Sequence, residues 1–139
     1  FNLPMYDRSL LAQYPPGSPF KIVNALVGLQ EGVITPETSF YCYHGFQYGS
    51  SSKAFMACHC GVVNYPIKLE MAIYKSCNTY FGRTYCNIVD KNNQQAKNVD
   101  NWKRHLLSFG LGQFIGIDMP IGKKGNIPAS NLYDKVYNK

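Results

Sequence analysis

Ser18 and Lys21 are the residues of this 139-residue chain whose types and spacing best suit covalent chemistry. They stand three apart, so on a helix their side chains rise from one face of the same turn. A serine hydroxyl is a poor nucleophile at neutral pH and needs a base within hydrogen-bond reach. A lysine serves as that base when burial and a cationic neighbour lower its pKa. Partial positive charge at a helix N-terminus also favours an alkoxide or oxyanion at the serine. A second Ser-x-x-Lys, Ser50 to Lys53, lies in a polar Gly/Ser stretch with no apolar helical run behind it, and it reads as a loop.

Ser18 has the positioning element that Ser50 lacks. Tyr14-Pro15-Pro16-Gly17 is a rigid, non-helical approach. Ser18 then takes the N-cap and Pro19 the first helical position, where a missing N–H costs nothing. Phe20, Val23, Leu26, Val27 and Leu29 follow at helical spacing to about Gln30, and Gly32 stops the run. A second helical pattern opens at Pro66, carries Leu69, Ala72 and Ile73 on one face, and ends near Lys75. Another runs from Thr79 to about Val89. Ser76 and Asn78 fall at the junction of these two, where a short loop can project both toward one site.

The other elements are read more coarsely. Residues 35–38 are a turn, and Ser39–Tyr43 has strand composition. Residues 90–99 are polar and read as an exposed connector. Asp100 then caps a helix carrying Trp102, Leu106, Leu107 and Phe109, closed by Gly110, with His105 in a surface or capping role. The Gly- and Pro-rich remainder is looped or extended, so the chain reads as mainly helical.

Residues 42–60 hold a second chemistry. Cys42, Cys58, His59 and Cys60 bring together ligand types that suit zinc, although Cys-x-Cys is tighter than zinc-finger spacing. A structural zinc, a disulfide and free thiols all stay open on the residues alone. Five cysteines, counting Cys77 and Cys86, leave at least one unpaired if the rest form disulfides. Cys77 reads as a small packing residue; no histidine partners it as it would a catalytic cysteine.

The segment Tyr14 to Lys21 resembles the first active-site motif, Ser-x-x-Lys, of the penicillin-binding proteins. Glu31-Gly32-Val33-Ile34-Thr35-Pro36 is similar to the stretch that follows it. Ser76-Cys77-Asn78-Thr79-Tyr80-Phe81 resembles the second motif, Ser-x-Asn. Phe109-Gly110-Leu111-Gly112, Gly116-Ile117-Asp118-Met119-Pro120 and Ile127-Pro128 resemble the region downstream. The resemblance runs over roughly residues 8–130 and is closest to the monofunctional class B members. The third motif, Lys-Ser/Thr-Gly, is missing; Gly122-Lys123-Lys124-Gly125 lacks the hydroxyl residue. The chain therefore reads as a partial transpeptidase domain.

The resemblance implies an α/β transpeptidase fold in which these residues form the helical part and most of the antiparallel sheet lies elsewhere. It implies acyl transfer onto Ser18 from peptidoglycan stem peptides, with Lys21 as base, Ser76 as proton relay and Asn78 contacting the substrate amide and orienting Lys21. It implies β-lactam antibiotics as covalent ligands and no cofactor for catalysis. Some members bind zinc in the region of Cys42–Cys60, which favours the metal reading there. A membrane glycosyltransferase and cell-elongation proteins are the implied partners. The implied location is the periplasmic side of the bacterial inner membrane, with the anchor outside these residues. A serine β-lactamase, a non-catalytic β-lactam sensor and a zinc-stabilised interaction module are the rival readings. The serine β-lactamase is disfavoured because nothing in the sequence marks a deacylating water.

Composition excludes other classes. The chain is 45% hydrophobic and 14% aromatic, which is not the profile of a disordered segment. Its net charge of +6 comes from scattered lysines and arginines that match no nucleic-acid motif, so solubility explains the charge better than nucleic-acid binding. No apolar run approaches the length of a membrane span. A chain holding only part of its domain leaves apolar faces uncovered, so association or poor order is expected of it alone.

Overall fold

A computed structural model of the protein describes residues 5, 7–114 and 122–132. In chain order its elements are α1 (Arg8–Leu11), α2 (Phe20–Gln30), β1 (Ser39–Phe40), β2 (Tyr43–Gln47), β3 (Phe55–Val62), β4 (Ile67–Lys68), α3 (Leu69–Tyr74), α4 (Asn78–Asp90) and α5 (Gln95–Ser108). A 3₁₀ turn, Lys91–Asn93, joins α4 to α5. Two antiparallel pairs make up the sheet structure of the described residues: β1 with β4, and β2 with β3. The mainly helical reading holds.

Three boundaries differ from the sequence reading, each for a tertiary reason. Pro66 does not open a helix, because Ile67 and Lys68 are drawn into the ladder opposite Phe40 and Ser39, and α3 begins at Leu69. The helix expected at Asp100 begins at Gln95. Its polar first turn faces water while Val99, Trp102 and Leu106 are buried on the other side, and Asp100 accepts from the Ser130 N–H and hydroxyl instead of capping. The Gly/Ser stretch is bounded by an eight-residue strand, β3, that periodicity did not mark. The downstream motif Gly116 to Pro120 lies outside the described residues.

The helices close on two apolar clusters. Ala25, Ile34, Ile67, Leu69, Ala72, Tyr80 and Phe81 pack with three buried cysteines in one, and Val27, Ile88, Trp102 and Leu106 in the other. Asn24 is buried between them and satisfied on both sides. Its amide donates to the Phe81 carbonyl at 3.3 Å, and its oxygen accepts from the Trp102 indole N–H at 3.1 Å. Helices α2, α4 and α5 are thus joined by one buried side chain, as an interior polar group requires. Gly28 lets α2 and α4 approach, since a Cβ there would lie 2.8 Å from Thr84 Cγ2 and 3.0 Å from Ile34.

Three helices end in the same Schellman turn, in which a left-handed residue lets two N–H groups satisfy the last carbonyls. After α2, Gly32 N–H bonds Leu29 O and Val33 N–H bonds Gly28 O. After α5, Gly110 and Leu111 do the same to Leu107 and Leu106. After α3, the left-handed residue is Ser76, at φ 49°, with its N–H on Ile73 O and that of Cys77 on Ala72 O. Glycine takes this conformation freely, whereas a residue with a Cβ gives up about 1–2 kcal/mol. The strained turn carries the second motif.

Candidate active site

The approach through Gly17 delivers Ser18 to the start of α2, but not as its cap. The regular helix begins at Phe20, with Pro19 already at helical dihedrals, and no side chain caps it. The Phe20 and Lys21 N–H groups instead bond Gly17 O and Ser18 O in a tighter first turn. The exposed Ser18 hydroxyl is therefore left to other partners. Lys21 Nζ lies 3.3 Å from Ser18 Oγ, 2.8 Å from Ser76 Oγ and 2.7 Å from the Ser76 carbonyl. Ser76 Oγ donates to Ser18 Oγ at 3.1 Å.

These distances close a ring when Lys21 is the free amine. Its two N–H groups donate to the Ser76 carbonyl and hydroxyl, Ser76 O–H donates to Ser18 Oγ, and Ser18 O–H points at the lysine lone pair. Burial lowers the Lys21 pKa from 10.5, against the opposing pull of the Cys58, Cys77 and Cys60 thiols. The left-handed turn aims both oxygens of Ser76 at one ammonium-sized point, which gives the strain at Ser76 a local purpose.

Asn78 shares a cleft of about 270 Å³ with Lys21, lined also by Phe20, Met56, Phe81 and Tyr85. Its amide donates to the Ala57 carbonyl of β3 at 2.6 Å, so it braces the second motif against the strand. The contacts that orient Lys21 here are those with the Ser76 carbonyl and hydroxyl.

Beside this ring lies a group of thiols. The Sγ atoms of Cys42, Cys58, Cys60 and Cys77 all fall within 4.8 Å of one another. Individual separations are 2.9 Å for Cys58–Cys60, 3.2 Å for Cys60–Cys42, 3.5 Å for Cys60–Cys77 and 3.8 Å for Cys58–Cys77. All exceed the roughly 2.05 Å of a disulfide, and the five cysteines are free. His59 does not join them. It alternates to the outer, exposed face of β3 while Cys58 and Cys60 point inward, and Cys77 takes its place. The sequence did offer a signal for this, since Cys77 is one residue from each of Ser76 and Asn78 in a chain with an odd cysteine to place.

The set fits a thiophilic cation. Zinc–sulfur bonds of about 2.3 Å put the sulfurs of a tetrahedron roughly 3.8 Å apart, a spacing that Cys58 and Cys77 already have and that Cys58 and Cys60, at 2.9 Å, reach by opening outward. Burial pushes the thiols of Cys60 and Cys77 up, Cys77 to about 11. Cys58 is desolvated too, but bonds from Cys60 and from the N–H groups of Cys60, Thr79 and Asn78 bring it down to about 6. The Cys58 thiolate forms readily, and those of Cys60 and Cys77 need a positive charge to follow.

Behind the site Glu31, at the end of α2, gathers Lys91, Asn101 and His105. His105 Nε2 lies 2.7 Å from Glu31, and that bond leads the drop of the Glu31 carboxyl to about 2. His105 therefore braces α2 against α5, a contact its position in the sequence does not disclose.

Residues 1–137 match the model of the penicillin-binding protein transpeptidase domain. The chain is 31% identical over 129 residues to the peptidoglycan D,D-transpeptidase MrdA of Acinetobacter baumannii, covering 90% of this chain and 17% of that protein. It is 27% identical over 142 residues to the enzyme of the same name from Escherichia coli K12, covering 99% and 20%. A chain solved in a study of structural coordination of polymerization and crosslinking by a peptidoglycan synthase complex is 25% identical. It superposes with a TM-score of 0.77 over 99% of this chain and 22% of its own length. The chain thus spans about a fifth of the length of these relatives.

Proposed function

Because this chain belongs to the penicillin-binding protein transpeptidase domain family, we propose that it carries the acylation half-site of a peptidoglycan D,D-transpeptidase of the penicillin-binding protein 2 type. The single observation that carries this reading is the ring of Lys21, Ser76 and Ser18, with contacts of 2.8, 3.1 and 3.3 Å. Lys21 takes the Ser18 proton as Oγ attacks the carbonyl of the penultimate D-alanine in a stem peptide. The Ser18 N–H supplies one oxyanion donor at the start of α2. The proton passes from Lys21 through Ser76 to the leaving nitrogen of the terminal D-alanine. The amine of a neighbouring stem then attacks the acyl-serine, forms the cross-link and frees Ser18. Asn78, held by Ala57, presents its remaining amide capacity to the substrate backbone.

A β-lactam enters as a stem-peptide mimic and stays on Ser18, since its leaving group remains tethered. The protein works on the periplasmic side of the bacterial inner membrane, beside a glycosyltransferase and cell-elongation proteins; no described helix is long and apolar enough to cross a membrane. Cys42, Cys58, Cys60 and Cys77 hold a structural zinc, whose charge stabilises the thiolates and pins β3 to the second motif. No catalytic step needs it as a reactant.

The test is intact mass after exposure to a penicillin, in a form of the protein that includes the Lys-Thr-Gly strand. A stable adduct mapped to Ser18, and absent in Ser18→Ala, is the expected result. No adduct on the folded protein removes the reading and leaves a non-catalytic module of the same fold.

A further inference from the structure

Asn24 stands one turn beyond Lys21 on α2, and Phe81 one turn beyond Asn78 on α4. The bond from the Asn24 amide to the Phe81 carbonyl, at 3.3 Å, therefore joins the helix of the catalytic lysine to the helix that follows the second motif. A directional bond matters at this level because packing is thin there. The cleft of about 270 Å³ lies against Phe20, Lys21 and Asn24 on one helix and Phe81, Gly82 and Tyr85 on the other. The close approach comes further along, where Gly28 meets Thr84. Apolar contact has no direction, so it sets the separation of the helices and leaves sliding and rotation to polar bonds.

Helix α5 decides which way the Asn24 amide faces. Trp102 sits edge-on to Phe20 of α2 at 6.0 Å and to Tyr85 of α4 at 5.2 Å, with its indole N–H on Asn24 Oδ1 at 3.1 Å. An indole N–H only donates, so the Asn24 oxygen faces it and the amide nitrogen is left facing Phe81. Asn24 and Trp102 are both buried, where a hydrogen bond is electrostatically stronger than in water.

We propose that Asn24 is a positioning residue for the acylation of Ser18: held by Trp102, it pins α2 to α4 beside the ring and so sets Lys21 against Ser76. This rests on the acyl-serine reading above. Asn24 transfers no proton, since its amide and oxygen are engaged by Phe81 and Trp102. Its effect falls on the contacts of 2.7 and 2.8 Å from Lys21 Nζ to the Ser76 carbonyl and hydroxyl. Reacting groups misplaced by about 1 Å lose up to about a hundredfold in rate, which sets the scale.

Three variants of the protein that includes the Lys-Thr-Gly strand separate position from stability. Asn24→Leu removes the pin and leaves the Trp102 N–H buried without a partner, so it is destabilised as well. Adding Trp102→Phe removes that orphan, and the bulkier leucine offsets the smaller ring. Replacing both partners by apolar groups returns much of the lost stability but not the pin. Glu31→Gln weakens the hold of Lys91, Asn101 and His105 on the far end of α2 and leaves the pin intact. Urea unfolding gives the stabilities. Labelling by a fluorescent penicillin over a range of concentrations gives the limiting acylation rate, the half-saturating concentration and the fraction finally labelled.

The expected result is a limiting rate about tenfold or more below wild type in both Asn24→Leu and the double variant, although the double variant is the more stable of the two. Labelling still reaches completion, and the half-saturating concentration stays within about twofold of the wild type. Glu31→Gln unfolds at lower urea yet keeps its rate within about threefold. A double variant reacting at the wild-type rate overturns the proposal, because lost stability then accounts for the whole effect of the single one. So does a loss in Glu31→Gln equal to that in Asn24→Leu, a comparison that decides the matter if the double variant does not fold. Asn24→Ala, whose vacated space admits a water to the two orphaned groups, takes the place of Asn24→Leu if leucine is not tolerated. A loss confined to the half-saturating concentration overturns the proposal too, since a positioned base acts on the limiting rate. A folded wild type that is never acylated instead removes the acyl-serine reading beneath it.

Discussion

Replacing Ser76 by alanine and by glycine, side by side, separates the two contributions this residue makes. Both substitutions delete the hydroxyl, and with it the contacts of 2.8 Å from Lys21 and 3.1 Å to Ser18. Only alanine keeps the Cβ that makes φ 49° costly. A left-handed non-glycine residue gives up about 1–2 kcal/mol; glycine avoids this but loses about 0.5–1 kcal/mol of extra backbone freedom on folding. The difference predicts Ser76→Gly to be more stable than Ser76→Ala by about 1 kcal/mol. The lost hydroxyl bonds, at about 1 kcal/mol each in a half-exposed site, set both variants near or below the wild type. Urea unfolding of the three proteins gives the stabilities, and fluorescent-penicillin labelling gives the acylation rates, expected to drop about a hundredfold or more in both variants if Ser76 relays the proton. Equal stability of the alanine and glycine variants would refute the strained turn. Near-wild-type acylation in either would refute the relay.

Three further outcomes follow from the geometry. Acylation of Ser18 needs the free amine of Lys21, so its rate should climb with pH through a midpoint below 10.5, the direction in which burial moves this lysine; a flat profile from neutral to alkaline pH would exclude Lys21 as the base. Glu31 titrates near 2 in the fold against an ordinary 4.5, so it adds stability above its unfolded pKa that is lost as the pH falls toward 2. With the side chain 17% exposed, solvent screening trims the gain to about 2 kcal/mol; Glu31→Gln should lose that much in neutral-pH unfolding and show a flatter acid limb. Gly28→Ala should destabilise by about 1–2 kcal/mol in the same assay, because the new methyl meets Thr84, whose hydroxyl is fixed on the Tyr80 carbonyl at 3.0 Å, and the helices must part.

What the sequence disclosed and what it withheld divide along the range of the interactions. The Ser18–Lys21 pair was legible because the single turn that opens α2 fixes their relation, whatever surrounds them. The junction holding Ser76 and Asn78 was legible as a break between two apolar periodicities. Helix stops at Gly32 and Gly110 announced themselves by residue type, whereas the identical stop at Ser76 did not, since serine carries no left-handed preference. The start of α3 was misplaced because pairing with β1, 27 and 29 residues away at the two positions, overrides a helical pattern at Ile67 and Lys68. The candidate metal-binding group was read with His59, whereas the structure gathers Cys77 with Cys42, Cys58 and Cys60. Sequence proximity favoured the histidine, while the alternation of β3 turned it outward and a thiol from another element came in. Strand register and long-range pairing decide both cases, and neither is written in a local window.

The second motif also explains how a turn that costs energy persists. Ser76 is held by two contacts with Lys21 of α2 and one with Ser18 just before that helix. Cys77 is packed among three thiols, and Asn78 is bonded to β3 through both its amide and its N–H. Each bond contributes on the order of 1 kcal/mol, so their sum exceeds the roughly 1–2 kcal/mol of the left-handed conformation. No one of them is sufficient by a comfortable margin. A turn over-determined from three directions holds its hydroxyl in place without relying on the helix before it. That is the condition a proton relay needs, because a transfer across about 3 Å tolerates little wandering of either oxygen. The relaxed glycine turns after α2 and α5 carry no such side chain. The strain therefore sits where position matters to chemistry and is absent from the two helix ends where it does not.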